Sequence, residues 1–328
     1  MIISECRLNN FRSHKVYKLK CDEMTSLILG RNGSGKTSVL EAIYIATQGK
    51  SFRAVDSEIL KREEEFYKVE LLYESGEKTV VVFNEGKKYF LVGDKKFARL
   101  PKKNKYPVIL FLPSDLNLIG ASPTRKREYF DRVFTQLSEV YSDSLSKYNK
   151  ALKQRNELLK MENLREDSLF SWNILLSKYG FLIMKIRREI IEKINLRLTE
   201  NYRSIADNQD EVRIEYLTKE VKDESEYLSE LEKNFEKDKI LGHTSFGIHK
   251  DDYEFLFNQV CADGSASRGE VRSIILALKF IEAELLSLEL GKKPLILLDD
   301  VFSELDEVRQ KSLVEKFKEN QVIITSVG

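Results

Sequence analysis

A glycine-rich segment constrains this chain more than any other feature of its sequence. Residues 30–37 read Gly-Arg-Asn-Gly-Ser-Gly-Lys-Thr, which fits the pattern Gly-x-x-x-x-Gly-Lys-Ser/Thr. A short apolar run, residues 25–29, precedes it, and a helical pattern follows from Lys36. In that setting the glycines let backbone N–H groups converge on phosphate oxygens, and the helix N-terminus adds partial positive charge. The segment therefore predicts a phosphate-binding loop in an α/β domain.

The same loop predicts the roles of individual side chains. A lysine in this position reaches the β- and γ-phosphates of a nucleotide, and the hydroxyl that follows it is a ligand for Mg²⁺. We therefore expect Lys36 to act in catalysis and Thr37 to bind Mg²⁺. The residues expected to contact the nucleotide are Gly30, Asn32, Gly33, Ser34, Gly35, Lys36, Thr37 and Ser38.

Two adjacent carboxylates follow a second apolar run. Residues 295–298 read Leu-Ile-Leu-Leu, and Asp299 and Asp300 come directly after them. Hydrolysis of a γ-phosphate needs a bound metal ion and an acceptor near the attacking water. Asp299 is therefore predicted to hold Mg²⁺, directly or through water, and Asp300 to orient or deprotonate that water. The alternative is that the pair only ends the strand and begins a turn.

A serine-glycine element precedes a long amphipathic pattern. Ser267, Gly269 and Glu270 stand at the start of this helix, and residues 303–306, Ser-Glu-Leu-Asp, follow the acidic pair. The order of these motifs resembles that of the ABC-type ATPase head. In that class the serine-glycine element of one subunit covers the γ-phosphate held by the other. The resemblance implies ATP as the nucleotide, a homodimer in the ATP-bound state, and a catalytic role for Ser267 and Gly269.

The remaining periodicities predict the domain organisation. Residues 66–97 alternate between apolar and polar positions with turn signals between them, which indicates an antiparallel meander. Apolar residues recur every three or four positions from Trp172 to Leu198, as on one face of a long helix. We predict an α/β fold, an ABC-type P-loop ATPase head with an antiparallel β-meander, split by a mostly helical insertion. The predicted domains are residues 1–118 with 242–328 for the ATPase and 119–241 for the insertion.

Within that class the sequence resembles the RecF family over nearly the whole chain. The segments that carry the resemblance, besides the phosphate loop, are residues 10–14, 38–43, 49–53, 111–116, 122–127, 152–160, 247–252 and 299–306. The resemblance identifies Arg12 and Ser13 as nucleotide contacts.

The same resemblance implies a function in DNA repair and replication. Members of the family bind ATP and DNA, dimerise with ATP, hydrolyse it slowly and act with RecR and RecO. They help to place recombinase on gapped DNA, a substrate with junctions between single and double strands. A role in the DNA damage and SOS responses, in the cytoplasm, follows from the same family.

The chain departs from the ABC pattern at two places and from the usual length of the RecF family at a third. Residues 108–115 hold no glutamine, although ABC heads usually have one there that touches Mg²⁺ and the attacking water. The histidine expected after the last strand is also missing, since Ile-Ile-Thr-Ser follows Val322. We therefore expect weak ATPase activity that DNA stimulates. The chain stops at Gly328, where the family usually continues, which predicts a C-terminal truncation.

Basic residues cluster in two places that predict DNA contacts. Such clusters neutralise phosphates without reading base sequence. The residues are Lys95, Lys96, Lys102, Lys103 and Lys105 in one segment, and Lys147 and Lys150 in the other. The alternative is a solvated loop and an ordinary charged helix face.

Composition limits the remaining possibilities. Lys and Arg number 54 against 53 for Asp and Glu, so bulk charge does not bind nucleic acid here. No apolar run approaches the ~20 residues of a membrane helix, and no membrane partner is expected. The three scattered cysteines are typical of free thiols in the cytoplasm. Two alternatives stay open: an ATP-gated scaffold that hardly turns over, and the ATPase subunit of a transporter.

Overall fold

The computed structural model describes residues 2–161 and 165–327. Within those ranges the strands are β1 (Ile3–Phe11), β2 (His14–Lys20), β3 (Thr25–Leu29), β4 (Phe66–Tyr73), β5 (Lys78–Asn84), β6 (Lys87–Val92), β7 (Lys95–Phe97), β8 (Val108–Phe111), β9 (Val212–Leu217), β10 (Asp252–Phe257), β11 (Val260–Cys261), β12 (Leu295–Asp299) and β13 (Val322–Ser326). The α-helices are α1 (Lys36–Gln48), α2 (Asp56–Ile59), α3 (Pro123–Leu137), α4 (Glu139–Leu159), α5 (Phe170–Ala206), α6 (Glu224–Lys233), α7 (Phe235–Leu241), α8 (Ala262–Ser265), α9 (Arg268–Leu290) and α10 (Glu307–Phe317).

The chain divides into two compact units. The first runs to Asp115 and resumes at Glu282, and the second is Leu116–Ile281. The predicted boundary at 241/242 differs from this division. The reason is strand pairing: β9 and β10 are antiparallel neighbours, with Val212 opposite Phe257, so the segment after 242 folds with the segment before it. The assignment of functional domains to these segments stays a prediction.

Two sheets and helix α1 form the centre of the first unit. A parallel sheet has the strand order β3-β13-β12-β8, and an antiparallel sheet has the order β2-β1-β4-β5-β6-β7. Helix α1 contacts strands of both sheets, and every residue of it except Thr37 is buried. Side chains from both sheets and from α1 form one apolar core. The phosphate loop is thus anchored at the start of the most deeply buried helix of this unit.

The parallel sheet decides where the polar residues of the first unit meet. Its strands share a direction, so the loops after β3, β12 and β13 all leave from one edge of the sheet. The phosphate loop follows β3, and the acidic pair lies at the end of β12. The predicted strands at 25–29 and 295–298, the helix from Lys36 and the meander at 66–97 are confirmed.

The second unit is mostly helical, with a three-stranded sheet in the order β11-β10-β9. The predicted long helix is α5, which has 37 residues. Its buried face in the first half differs from the predicted stripe, because Trp172 is only half-buried whereas its neighbour Asn173 is buried. Asn173 accepts a hydrogen bond from the fully buried Arg155, 2.7 Å from Nε to Oδ1. The prediction counted only apolar side chains and missed this polar contact.

None of the helices in the described ranges is long and apolar enough to cross a bilayer.

Candidate functional site: the nucleotide cleft

The phosphate loop depends on glycine where it approaches β2. Gly35, the N-cap of α1, has φ +94°, in the left-handed region. A Cβ atom there would clash with Nε2 of His14. The same His14 nitrogen lies 3.1 Å from the Gly35 carbonyl oxygen. Glycine at this position therefore lets His14, at the start of β2, pack directly against the phosphate loop.

Lys36 lies over the loop that it belongs to. Its side chain is only 5% exposed, and Nζ donates to the carbonyls of Gly30 at 2.7 Å and Arg31 at 3.3 Å. The same nitrogen is 3.6 Å from the Asp300 carboxylate. The structure thus brings together the predicted phosphate-binding cation and the predicted water-orienting carboxylate.

The predicted metal ligands also meet. The Thr37 hydroxyl lies 2.8 Å and 2.9 Å from the two carboxylate oxygens of Asp299. Neighbouring ligands of an octahedral Mg²⁺ ion are about 3.0 Å apart when each is about 2.1 Å from the metal. A hydroxyl beside a carboxylate at this separation therefore fits the oxygen ligands that Mg²⁺ prefers.

A third residue at this edge escaped the sequence analysis. Thr325 lies opposite Asp299 in the β12–β13 pairing, and its hydroxyl donates to Oδ1 of Asp299 at 2.9 Å. Thr325 also accepts hydrogen bonds from the backbone N–H of Asp300. It thus orients both members of the acidic pair. No sequence motif marks Thr325, and only the pairing of β12 with β13 shows that it lies beside Asp299.

Asp300 has an unusual backbone and an available oxygen. Its φ of +52° lies in the left-handed region, which aspartate tolerates better than most residues. One carboxylate oxygen, Oδ1, is buried, and no donor from the described residues bonds to it. A buried acceptor without a donor, at the wall of a cleft, suits the capture of a water molecule.

A cleft of about 540 Å³ opens over the loop, a volume typical of small-ligand sites. The predicted residues that line it are Arg12, Ser13, Asn32, Gly33, Gly35, Lys36, Thr37, Ser38 and Asp300. Gly30, Ser34 and Asp299 are not among its lining residues. Gly30 instead receives the Lys36 hydrogen bond, and Asp299 lies behind Thr37. Five further residues complete the wall and were not predicted as site residues: Arg53, Glu58, Leu60, Lys61 and Arg62.

A buried carboxylate holds two of the cationic side chains in the wall. Arg12 and Arg53 both donate to Glu41 of α1. Burial alone would raise the pKa of Glu41, but hydrogen bonds from Arg12, Arg53 and Ser51 outweigh it, and the pKa lies below its ordinary value. The hydrogen bond to Glu41 likewise raises the pKa of Arg12.

The loop that lacks the expected glutamine folds on itself. Asp115, its only acidic residue, is fully buried and accepts a hydrogen bond from the Leu112 N–H at 3.2 Å. This carboxylate therefore caps its own turn.

The serine-glycine element belongs to the second unit. The Ser267 N–H donates to the Glu270 carboxylate at 2.6 Å, and the Glu270 N–H donates to the Ser267 hydroxyl at 3.3 Å. This reciprocal pair is a capping box at the start of α9. Ser267 is exposed, and Gly269 is half-buried. The element is therefore accessible from outside the chain.

The residues predicted to bind DNA lie at the surface of both units. Lys95 and Lys96 lie on β7, and Nζ of Lys96 is 3.8 Å from the centre of the Tyr89 ring. Lys102 and Lys103 are exposed, whereas Lys105 is half-buried. Lys147 and Lys150 are exposed on α4. Their role in DNA binding stays a prediction.

His249 has a structural place in the second unit. Its Nε2–H donates to the Thr244 carbonyl at 2.9 Å, so Nδ1 is left to accept from the Tyr148 hydroxyl, also at 2.9 Å. Both ring nitrogens are therefore satisfied in the neutral form. Burial lowers the pKa of His249 to about 4.

Comparisons with known proteins agree with this geometry. A family model described as an AAA ATPase domain matches residues 1–322. A relative from Clostridium novyi (strain NT), named DNA replication and repair protein RecF, is 32% identical over 338 residues, which cover 100% of this chain and 93% of the relative.

Solved structures extend the comparison to the fold. The structure of the recombination mediator protein RecF with ATP, from the RecFOR pathway, matches with a TM-score of 0.88 and 32% identity, over 100% of this chain and 92% of that one. An Smc head domain from Pyrococcus furiosus matches with a TM-score of 0.51 and 16% identity, over 100% and 90%. These matches confirm the predicted α/β ATPase-head fold.

Proposed function

The chain belongs to the RecF family, and its residues 1–322 match an AAA ATPase domain; on this premise we propose that it is an ATPase of recombinational DNA repair. The proposal rests mainly on one observation: Lys36, Thr37 and Asp300 line the same cleft, and Asp299 lies behind Thr37. ATP is the nucleotide held by the solved RecF structure that this chain resembles. A fold by itself does not establish a function, but these four side chains are the types that binding and hydrolysis of ATP require.

The loop and Lys36 bind the phosphates of ATP. Backbone N–H groups at the start of α1 meet the phosphate oxygens, and Lys36 exchanges its bonds to the carbonyls of Gly30 and Arg31 for the β- and γ-phosphates. Asp300 accepts a proton from the attacking water, or orients that water, through its buried oxygen. Thr37 and Asp299 would hold Mg²⁺, which neutralises charge on the phosphates.

Hydrolysis is slow because two expected helpers are absent. No glutamine stands in residues 108–115, and Thr325 occupies the end of β13 where a histidine is usual. The Thr325 hydroxyl already binds Asp299, and a hydroxyl does not shuttle protons near neutral pH as an imidazole does. We infer that DNA stimulates turnover by completing this site.

Dimerisation with ATP supplies the missing side of the site. The exposed Ser267 and the neighbouring Gly269 present a helix N-terminus, which favours anions. In a two-fold pair each copy would place this element on the nucleotide of the other. The proposal therefore includes a homodimer that forms with ATP and separates after hydrolysis.

DNA, RecR and RecO are the proposed partners. The relatives are named for DNA replication and repair, and the solved structure is assigned to the RecFOR pathway. The exposed lysines of β7 and α4 supply positive charge for DNA phosphates. We place the protein in the cytoplasm, on gapped DNA or a junction between single and double strands, where it helps to load recombinase.

One alternative has specific support. A scaffold that binds ATP but hardly turns it over would show the same cleft, and the missing glutamine and histidine favour it. Membership in the RecF family gives no support to a transporter subunit. A single-turnover assay with DNA distinguishes the ATPase from the scaffold, because a scaffold would release its ATP intact.

Nucleotide titration of the Lys36→Ala variant tests the site. The variant loses the cation that the loop directs at the phosphates, and its ATP affinity should fall by roughly 10- to 100-fold. Lys20→Ala is the matched control, since Lys20 is an exposed lysine on β2 outside the cleft. Equal ATP affinity in a folded Lys36→Ala protein and in the control would overturn the proposal.

A further inference from the structure

A buried carboxylate lies behind the wall of the nucleotide cleft. Glu41, in α1, is 0% exposed, and the proposed mechanism gives it no role. Its oxygens accept from Nε and Nη2 of Arg12, both at 2.9 Å, and from Nε and Nη2 of Arg53 at 3.0 Å and 2.9 Å. The Ser51 hydroxyl adds a fifth donor at 2.6 Å. Because α1 is buried almost throughout, this acceptor has a fixed position.

The two arginines that bind Glu41 come from different parts of the chain, one before α1 and one after it. Arg12 lies in the turn between β1 and β2, and Arg53 lies beyond the C-cap of α1 at Gly49. Both line the cleft, with side chains that are 21% and 36% exposed. Neither segment is part of a helix or strand at these positions. Glu41 is therefore the shared anchor that fixes both guanidinium groups.

The pairing leaves donors for a ligand. Each guanidinium donates to Glu41 through Nε and Nη2. Nη1 of Arg12 also donates to the Glu58 carbonyl, which leaves its second hydrogen for a ligand. Nη1 of Arg53 bonds to no acceptor among the described residues. Nη2 of Arg53 also reaches the Ser38 hydroxyl, 3.3 Å away, in the first turn of α1. Two cations and one anion leave a net charge of +1 at this wall of the cleft. That balance suits a phosphate chain, which carries several negative charges.

We propose that Glu41 is a positioning residue of the nucleotide site, which holds Arg12 and Arg53 in the geometry that receives the phosphate chain. Glu41 does not touch the nucleotide and acts only through the two arginines. The inference rests on the proposed binding of ATP in this cleft. It adds a requirement that the phosphate loop alone does not contain: a negative charge, behind the site, that strengthens binding of an anion.

The sign of one charge change tests this requirement. Glu41→Gln makes the cleft more positive, so Coulomb attraction alone predicts tighter binding of ATP and ADP. Positioning predicts the opposite, a loss of about tenfold or more, because an amide has one acceptor oxygen where the carboxylate has two, and its NH₂ group would face the donors that the second oxygen now accepts from.

Glu58→Gln is the matched control for charge. Glu58 lines the same cleft and is exposed, and only its backbone carbonyl accepts from Arg12, at 3.0 Å. Its substitution removes the same charge and leaves the anchor intact, so ATP binding should tighten. Tighter binding in both variants would overturn the positioning role.

A cycle of variants separates positioning from general support of α1. In an Arg12→Gln/Arg53→Gln background the arginines are gone, and adding Glu41→Gln should cost little further ATP affinity. If Glu41 only stabilised α1 and the phosphate loop, Glu41→Gln would lower ATP affinity by as much in that background as in the wild type. The triple variant also has no unpaired buried charge, so it stays informative if Glu41→Gln alone unfolds.

Isothermal titration with ATP and ADP provides the readout for every member of the cycle, with circular dichroism to verify folding. Wild-type protein that binds neither nucleotide would overturn the proposed function itself. Wild-type protein that binds ATP, with an unchanged affinity in folded Glu41→Gln, would overturn the inference alone.

Discussion

The Thr37 hydroxyl lies 2.8 Å from a carboxylate oxygen of Asp299, although 262 residues separate the two in the chain. Thr37 lies at the end of the phosphate loop, and Asp299 ends β12. Parallel pairing of β3, β13 and β12 brings these ends to one edge. The relationship joins the two halves of the first unit and defines where Mg²⁺ would bind.

Removing the Thr37 hydroxyl should weaken this metal site. Thr37→Val keeps the shape of the side chain but deletes the oxygen, so the Mg²⁺ concentration needed for half-maximal ATP hydrolysis should rise by about tenfold or more. A Mg²⁺ titration of ATPase activity measures the shift. Thr47→Val is the control, because the Thr47 hydroxyl bonds only within α1, to Ile43 and Tyr44 carbonyls. An unchanged Mg²⁺ requirement in Thr37→Val would place the metal elsewhere.

Bulk at the start of α9 should block pairing of two copies. Ser267→Arg puts a long charged side chain on the exposed capping box. In the proposed dimer this is where the γ-phosphate bound by the second copy would dock. Light scattering over a concentration series should show dimers of the wild type with a slowly hydrolysed ATP analogue, and monomers with ADP.

The Ser267→Arg variant should stay monomeric while it still binds ATP. Ser265→Arg is the comparison, since Ser265 is an exposed serine two residues earlier. Normal dimerisation of Ser267→Arg with the analogue would remove this element from the interface.

Charge removal on the first unit should weaken DNA binding without changing its preference. Glutamine at Lys95, Lys96, Lys102, Lys103 and Lys105 removes five positive charges. Affinity should fall alike for all sequences, and the slope of log affinity against log salt should flatten by up to about 4.5, at roughly 0.9 for each DNA phosphate that is no longer neutralised. Fluorescence anisotropy at several salt concentrations measures both. A slope equal to that of the wild type would favour the α4 lysines, Lys147 and Lys150.

Acid should destabilise the protein partly through His249. Burial lowers the pKa of His249 to about 4, below its ordinary 6.5, so the folded state resists protonation that the unfolded chain accepts. The stability that the neutral ring contributes is present above pH 6.5 and is lost as pH falls toward 4, by roughly 2 kcal/mol between pH 7 and pH 5.

His249→Gln separates this contribution from those of the carboxylates. Its amide can still bond to Thr244 and Tyr148 but does not titrate. Urea unfolding at both pH values should therefore show a smaller pH dependence than the wild type. An equal pH dependence in the variant would mean that His249 is accessible to protons in the fold.

Local motifs allowed the phosphate loop and the acidic pair to be predicted from the sequence. Each is a short run of residues next to a recognisable strand or helix, so its position follows from nearby residues alone. Thr37 accordingly lies beside Asp299, and Lys36 lies near Asp300, while their roles in binding and hydrolysis stay predictions.

Residues that join the site through long-range pairing could not be predicted in this way. Thr325 meets Asp299 only because β13 is the parallel neighbour of β12 in one register. Glu41 lies inside a helix whose pattern reads as buried core, and its partners come from two loops. In the second unit, Arg155 and Asp238 form a buried ion pair, although charged side chains on a helix usually face water. Fold geometry, and not residue type, decides these contacts.

Single-turnover hydrolysis by Asp300→Asn is the most direct test of the account. The substitution keeps the size of the side chain and removes the charge that accepts a proton. ATP affinity should stay within about threefold of the wild type, while the rate of hydrolysis in the presence of DNA should fall by about 100-fold or more. Equal hydrolysis by the variant and the wild type would contradict the assignment of Asp300 as the group that activates water in this cleft.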